Sequence, residues 1–140
     1  MSDFTFHTKD PASPEEVEEL LAGLEKHTLE IIGSPGFEPV AIHARDPEGN
    51  LVGGITGTIN WKWLAIKLLW VREDVRGRGL GRDLMNAIED LGRSRGCLRA
   101  HVDTLGFQAP AFYEKLGYEP FAELPDYVPG YPRIYYKKVL

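Results

Sequence analysis

A short segment in the second half of the chain combines three glycines with three arginines: Arg76-Gly77-Arg78-Gly79-Leu80-Gly81-Arg82. Glycines let a backbone turn tightly and let a ligand approach where a Cβ would stand in the way. An amphipathic pattern follows directly, so the free N–H groups and the positive dipole end of a helix face the same point. Together with the arginines, this arrangement favours phosphate or pyrophosphate, and the segment is the candidate anion site.

Two common nucleotide motifs do not match this segment. A mononucleotide P-loop ends in Gly-Lys followed by Ser or Thr, and the sequence contains no Gly-Lys pair. A dinucleotide fingerprint G-x-G-x-x-G starts at Gly77 but has Arg82 in its sixth position. The 37 residues after Asp103 are also too few to complete a dinucleotide-binding sheet.

The pattern that remains is R-x-x-G-x-G, formed by Arg76, Gly79 and Gly81, and it resembles the coenzyme A loop of the GNAT superfamily of acetyl-CoA-dependent N-acetyltransferases. A second segment, 111–118, resembles the F-Y-x-K-x-G-[FY] motif of the same family. The resemblance implies acetyl-CoA as co-substrate, with its pyrophosphate on the loop amides and its pantetheine arm on the backbone of the preceding strand. The implied cofactor-binding residues are Leu69, Val71, Arg76, Gly77, Arg78, Gly79, Leu80, Gly81 and Arg82.

Acetyl transfer to an amine needs a neutral nucleophile, a polarised thioester carbonyl and a proton for the departing thiolate. The resemblance assigns the proton to Tyr113, for which a core aromatic is the competing interpretation. Many relatives carry a Glu base on the fourth strand, where this chain has Trp63, Lys67 and Trp70. His101 and Asp103 share one face of the next strand and are the candidate base, acting through water, with a structural histidine as the alternative.

Hydrophobic periodicity predicts the elements that position these residues. A first helix is expected from Pro14 to Gly33, with Ser13 and Glu16 forming a capping box. A second follows the glycine segment and ends near Gly96, and a short third one begins at Pro110. The predicted strands are 4–8, 40–44, 51–60, a largely buried central strand 63–71, 98–103, 118–124 and 134–139, with Pro125, Pro129, Gly130 and Pro132 in the last loop.

These elements indicate an α/β, GNAT-like fold. Its sheet is expected to be mixed, with six or seven strands, central parallel strands and about three to four helices around it. The order strand, glycine segment, helix, strand predicts that the two strands are parallel. The resemblance implies that the co-substrate lies in the splay beside these central parallel strands. A length of 140 residues predicts one domain, 1–140.

Charge is distributed unevenly along the chain. The net charge of −5 combines −8 for residues 1–60 with +3 for residues 61–140, which agrees with an anion held by the later segment. The single cysteine, Cys97, and the four histidines show no metal-ligand spacing, so no metal is expected. Residues 1–4 have neither the basic nor the apolar region of a leader, and a cytoplasmic protein without membrane or nucleic-acid contacts is predicted.

The sequence therefore predicts an N-acetyltransferase whose acceptor is the primary amine of a small molecule. Acetylation of a protein N-terminus or of a lysine is the second hypothesis, and a catalytically silent acyl-CoA-binding module is the third. A homodimer is compatible with the sequence. The acceptor itself is left open.

Overall fold

The computed structural model describes residues 3–34 and 36–140. Met1 and Ser2, which entered the argument against a leader, lie outside the described residues. The chain divides into two compact units, Met1–Pro35 and Gly36–Leu140.

The first unit contains helix α1, Pro14–Ile32. Its N-cap is Ser13 and its C-cap is Gly33, which takes the left-handed conformation that glycine adopts without strain (φ 80°), so both predicted ends are confirmed. The predicted capping box is wrong: the Ser13 hydroxyl donates to the carboxylate of Glu15 at 3.0 Å and caps no backbone amide. In a capping box the serine oxygen accepts from a backbone N–H of the first turn, and here no backbone amide donates to it.

Residues 4–8, predicted as a strand, form no strand. Their alternation of apolar and polar residues satisfies the pattern, but a strand also requires a backbone ladder with a neighbour. Phe4 and Phe6 are exposed. The alternation here reflects composition and does not mark a half-buried strand.

The second unit is a six-stranded mixed sheet with two α-helices, so the described residues confirm the predicted α/β class. Its elements are β1 Glu38–Arg45, β2 Leu51–Asn60, β3 Trp63–Val71, a 3-10 turn Glu73–Val75, α2 Leu80–Ser94, β4 Arg99–Leu105, α3 Pro110–Lys115, β5 Glu119–Val128 and β6 Tyr131–Val139. The strand order is β1-β2-β3-β4-β6-β5. Among the strand pairs of the described residues, only β3 and β4 run parallel, at the centre of the sheet, as expected.

The hydrophobic core lies between α2 and the sheet. Leu84, Met85 and Ile88 of α2 are buried against strand residues such as Ile55 and Leu64. Burial of each such side chain stabilises the fold by about 1.5 to 3 kcal/mol. The core therefore fixes the start of α2, and with it the glycine segment, against the central strands.

Strand β3 is buried only in its first half. Leu64, Ala65 and Ile66 are buried, whereas Leu68 is 68% and Trp70 47% exposed, so the prediction of a largely buried strand is wrong for the second half. Two departures from regular pairing explain the difference. Lys67 has no partner in β2, because the ladder steps from Ile66 to Leu68 opposite Gly57 and Thr56, and the pairing of β3 with β4 ends at Ala65 and His101.

The last two strands are longer than predicted. β5 extends through Pro125, which was expected in a loop, and the hairpin turn is confined to Pro129 and Gly130. Proline has no N–H to donate, but β5 is an edge strand and its pairing is irregular between Leu124 and Val128. An edge strand with such a bulge tolerates proline.

Candidate active site

A cleft of about 650 Å³ opens where β3 and β4 stop pairing. Beyond Ala65 and His101 the two parallel strands diverge, and α3 contributes the remaining wall. Lining residues come from β3, the glycine segment, β4 and α3: Lys67, Leu68, Leu69, Trp70, Val71, Arg76, Gly81, Asp103, Thr104, Gln108, Ala109, Phe112 and Tyr113. The predicted splay is thus present as a ligand-sized space.

The backbone of β3 presents hydrogen-bonding groups to this cleft. The amide of Arg72 donates to the carbonyl of Val52 at 2.8 Å, which makes these two residues a hydrogen-bonded pair of the β2–β3 ladder. Because such pairs alternate in antiparallel ladders, Leu69 and Val71, opposite Ile55 and Gly53, turn their N–H and C=O groups away from β2. Those groups point to the side from which β4 has departed.

The glycine segment supplies a row of free amides. Gly77 and Gly79 have φ of 80° and 81°, which non-glycine residues adopt only with strain. The backbone N–H groups of residues 77–82 donate to no other described residue, and the amide of Asp83 is the first to bond into α2, to the carbonyl of Gly79 at 3.0 Å. Such a row at a helix N-terminus binds anions and fits a pyrophosphate.

The three arginines of the segment have different surroundings. Arg76 donates through Nε to the Val71 carbonyl at 3.0 Å and lines both the cleft and an adjoining cavity of about 320 Å³. Arg82 lines only the adjoining cavity, 3.5 Å from Asp83. Arg78 is exposed and lines neither space. Leu80 completes the wall of the smaller cavity.

The adjoining cavity shares four lining residues with the cleft: Val71, Arg76, Gly81 and Phe112. Phe112 was not among the predicted cofactor-binding residues, although it lies in the motif segment 111–118. A Cβ on Gly81 would lie 3.4 Å from the Phe112 ring, so glycine at this position lets the ring lie against the start of α2. Phe112 thus joins the amide row to the cleft.

Tyr113 stands at the wall of the cleft and is 7% exposed. Its ring packs edge-on against Phe112 and Tyr118, at centroid distances of 5.2 and 6.1 Å. Its hydroxyl has no hydrogen-bond partner among the described residues but is not sealed from solvent. Burial raises the pKa of the Tyr113 hydroxyl, and the charge of Asp103 raises it further, so the proton stays on the oxygen at neutral pH.

A buried polar network lies behind this tyrosine. Tyr118 donates its amide to the Tyr113 carbonyl at 3.1 Å and its hydroxyl to Glu89 at 2.7 Å. Glu89, only 2% exposed, also accepts from Lys138 at 2.9 and 3.1 Å, so its charge is paired. Burial, followed by the Glu89 carboxylate, raises the pKa of the Tyr118 hydroxyl. The network ties α2, β6 and the end of α3 together at the back of the site.

Asp103 lies in the cleft wall, but its carboxylate is already engaged. Arg133 of β6 binds it through Nε at 2.8 Å and through a terminal nitrogen at 2.7 Å. The guanidinium also lies over the rings of Tyr127 and Tyr135, at 5.0 and 5.2 Å, and donates to the Tyr127 hydroxyl at 3.1 Å. Asp103 raises the pKa of Arg133, which therefore stays charged.

His101 is on the same strand face as Asp103 but lines no part of the cleft. Its ring packs edge-on against Trp63 at 5.7 Å, and no hydrogen bond joins it to Asp103. Burial and then the Lys67 charge lower the pKa of His101, against an opposing effect of Asp103. The structure thus brings Tyr113 and Asp103 to the cleft and leaves His101 outside its lining.

Neither metal nor membrane features stand out in the described part of the chain. Residues 3–34 and 36–140 contain no group of three His, Cys, Asp or Glu side chains arranged to hold a metal ion. Across the same residues, no helix combines the length and the hydrophobicity that crossing a membrane requires.

Comparisons with known proteins agree with this geometry. The model of the acetyltransferase (GNAT) family matches residues 6–118. Blasticidin-S acetyltransferase of Streptomyces morookaense is 44% identical over 95 residues, which cover 67% of this chain and 70% of that protein. An acetyltransferase of Agrobacterium fabrum is 29% identical over 119 residues, 85% of this chain and 87% of its own. The crystal structure of an acetyltransferase from Bacillus cereus superposes with a TM-score of 0.84 at 30% identity, covering 96% of this chain and 98% of that one.

Proposed function

Because the chain belongs to the acetyltransferase (GNAT) family and is an acetyl-CoA-dependent N-acetyltransferase, we propose that its acceptor is the primary amine of a small molecule. One observation carries the proposal: the opening between β3 and β4 is a bounded cleft of about 650 Å³, with the unpaired hydroxyl of Tyr113 in its wall. A space of that size accommodates a thioester arm and a small acceptor. A relative at 44% identity is named for acetylating blasticidin-S, which supports an acceptor of this class.

The residues present fit the co-substrate. Acetyl-CoA supplies an acetyl group activated as a thioester. The amides of residues 77–82 and the guanidinium of Arg76 would hold its pyrophosphate, and the cleft-facing backbone groups of Leu69 and Val71 would hydrogen-bond its pantetheine arm. Arg82 borders the same space, whereas Arg78 would add only long-range attraction.

Tyr113 is proposed as the general acid. In the transfer a C–N bond forms to the acceptor amine and the C–S bond to coenzyme A breaks, so the sulfur must receive a proton. The Tyr113 hydroxyl is protonated at neutral pH, accessible from the cleft and free of competing acceptors. The fold holds its ring by packing on Phe112 and Tyr118.

The amine proton requires a separate route. A lysine-like amine with a pKa of about 10.4 costs roughly 4 kcal/mol to deprotonate near pH 7.4, whereas an amine with a pKa near 8 costs less than about 1 kcal/mol. We propose that Asp103, in the cleft wall, accepts this proton through water, and that His101 affects the step only through the charge of Asp103. The arrangement favours weakly basic acceptors, because Arg133 already occupies the Asp103 carboxylate.

The test is release of coenzyme A, corrected for hydrolysis, in the presence of three acceptor sets: small primary amines, peptides with a free N-terminus, and N-terminally blocked peptides containing lysine. We expect turnover with small amines and a loss of turnover in Tyr113→Phe. If turnover occurred only with peptides, the acceptor would be a protein N-terminus or a lysine instead of a small molecule. Binding of coenzyme A without turnover on any set would favour a silent acyl-CoA-binding module.

A further inference from the structure

A second cavity lies at the other end of the central strands. It measures about 380 Å³ and is bordered by Trp63 and Arg99, the first residues of β3 and β4. Trp63 and Leu69, which lies in the cleft, are six positions apart along β3, a distance of roughly 20 Å at ~3.3 Å per residue. We propose that this cavity is a binding site for a small aromatic carboxylate, independent of the acetyl-transfer site.

The shape of the cavity follows from where β5 begins. Glu119, the first residue of β5, lies opposite Lys137, so Lys138 and Val139 at the end of β6 have no β5 neighbour. The chain reaches this point through Gly117, whose φ of 90° ends α3. A Cβ at Gly117 would stand 3.7 Å from the Lys138 side chain. The missing strand neighbour leaves a recess beside an otherwise paired sheet.

Positive charge exceeds negative charge in this recess. Its lining contains Arg99, Lys137 and Lys138 but only one carboxylate, Glu119. Lys138 is neutralised by the buried Glu89, at 2.9 and 3.1 Å. Arg99 and Lys137 have no carboxylate within 4.0 Å among the described residues, and Glu119 pairs with neither. Two cations at the recess therefore remain available to an anion.

The same two cations already lie over aromatic rings. The Arg99 guanidinium is 5.9 Å from the ring centroid of Trp63, and the Lys137 ammonium is 5.6 Å from that of Phe121. Trp63 is half-buried, with His101 packed against its edge, so the indole forms a fixed flat wall. A planar ring can pack against this indole while its carboxylate lies between Arg99 and Lys137. Such a ligand stacks on the indole through its ring and pairs with both cations through its carboxylate.

Benzoate is the probe that tests this site, observed through the tryptophan indole N–H signals in NMR. The chain has three tryptophans, and Trp63→Phe assigns the signal concerned. We expect a saturable shift of the Trp63 signal, at least tenfold weaker binding in Arg99→Gln and a smaller loss in Lys137→Gln. Lys62→Gln is the matched control, since Lys62 is exposed and adjacent in sequence but lines no part of the cavity. Coenzyme A should leave the benzoate affinity unchanged.

Several results would overturn the proposal. Benzylamine, which has the same ring and the opposite charge, should give no saturable shift, and an equal shift would reduce the cavity to an apolar recess. Inorganic phosphate binding as tightly as benzoate would remove the aromatic requirement. Competition by coenzyme A would place benzoate in the acetyl-transfer cleft. If Arg99→Gln fails to fold, unchanged affinity in Lys137→Gln is sufficient to reject the site. None of these results bears on whether the enzyme acetylates small amines.

Discussion

The two halves of the β3–β4 pair share one sheet and serve different purposes. In the first half the strands pair in register from Trp63 and Arg99 to Ala65 and His101, and Leu64 is fully buried. In the second half they do not pair, and the exposed Leu68 lies in the wall of a cleft. Burial and ladder pairing therefore hold this centre together, while the proposed chemistry occupies the place where both are interrupted.

The first prediction compares the loss of one leucine from each half. Leu64→Ala should destabilise the fold by about 2 to 5 kcal/mol, because it leaves a cavity in a packed core. Leu68→Ala should change stability by no more than about 0.5 kcal/mol, because that side chain is already exposed. Urea unfolding monitored by circular dichroism measures both. Equal losses would mean that the open half is as tightly packed as the paired half.

The second prediction distinguishes the role of Tyr113 from that of Tyr118, which packs against it. Tyr113→Phe should lower kcat about 10²-fold with little change in melting temperature, since it removes only a proton donor that binds nothing in the fold. Tyr118→Phe is the matched control and should lower stability by about 1.5 to 3 kcal/mol, because the buried Glu89 loses a hydrogen bond, while kcat is largely kept. Steady-state kinetics and thermal melts on both variants decide. A Tyr113→Phe enzyme with full turnover under chemistry-limited conditions would return that residue to a purely structural role.

A smaller effect is expected at Arg76, which borders the cleft that opens where β3 and β4 stop pairing. Arg76→Ala should weaken coenzyme A binding by roughly tenfold or more, the ~1.5 kcal/mol of a charge-assisted bond, because Arg76 lines both the cleft and the amide-lined cavity. Arg78→Ala is the control and should change affinity much less, since its side chain borders neither space. Calorimetric titration with coenzyme A gives both values. A reversed order would move the pyrophosphate towards Arg78.

The smallest effect is a pH dependence at the junction of the two halves. The pKa of His101 is lowered in the folded protein, mainly by burial, so the unfolded chain binds more protons below its ordinary pKa near 6.5. The associated stability is present above that pH and is lost as pH falls towards the folded-state pKa. His101→Gln should therefore reduce the drop in melting temperature between pH 7 and 5. The exposed His7, changed to Gln, is the control and should leave the drop unchanged.

Local signals in the sequence were sufficient for the parts of the site that depend on nearby residues. The family, the mixed sheet with a parallel centre, the helix ends at Ser13 and Gly33 and the glycine segment at the start of α2 are confirmed. The helix ends and the glycine segment depend on capping, spacing or composition within a few residues, whereas the parallel centre followed from the order strand, glycine segment, helix, strand and from the family resemblance. The roles of Tyr113, Asp103 and His101 stay predictions, as do the cytoplasmic location and the homodimer.

Features set by distant partners were not predictable in this way. The bond between Arg133 and Asp103 joins residues 30 positions apart, and only the register of β6 with β4 brings them together. The unpaired Lys67 is decided by the ladder with β2, which an apolar run does not reveal. Pro125 was read as a breaker because its place in an edge strand depends on which strand lies outermost.

Lys67 interrupts the regular pairing of β3 with β2 and also lines the cleft. Leu64 and Ile66 pack into the core before it, and Leu69 and Val71 pack against that core after it, so the core-facing positions change from even to odd numbers at one residue. Deleting Lys67 would restore the simple alternation with every core side chain on its present face. Such a shortened chain would pair with β2 without a bulge, and it would shift Leu69 and Val71 by one residue along the strand that lines the cleft. Length at this position, more than the identity of the side chain, therefore decides which backbone groups of β3 reach the cleft.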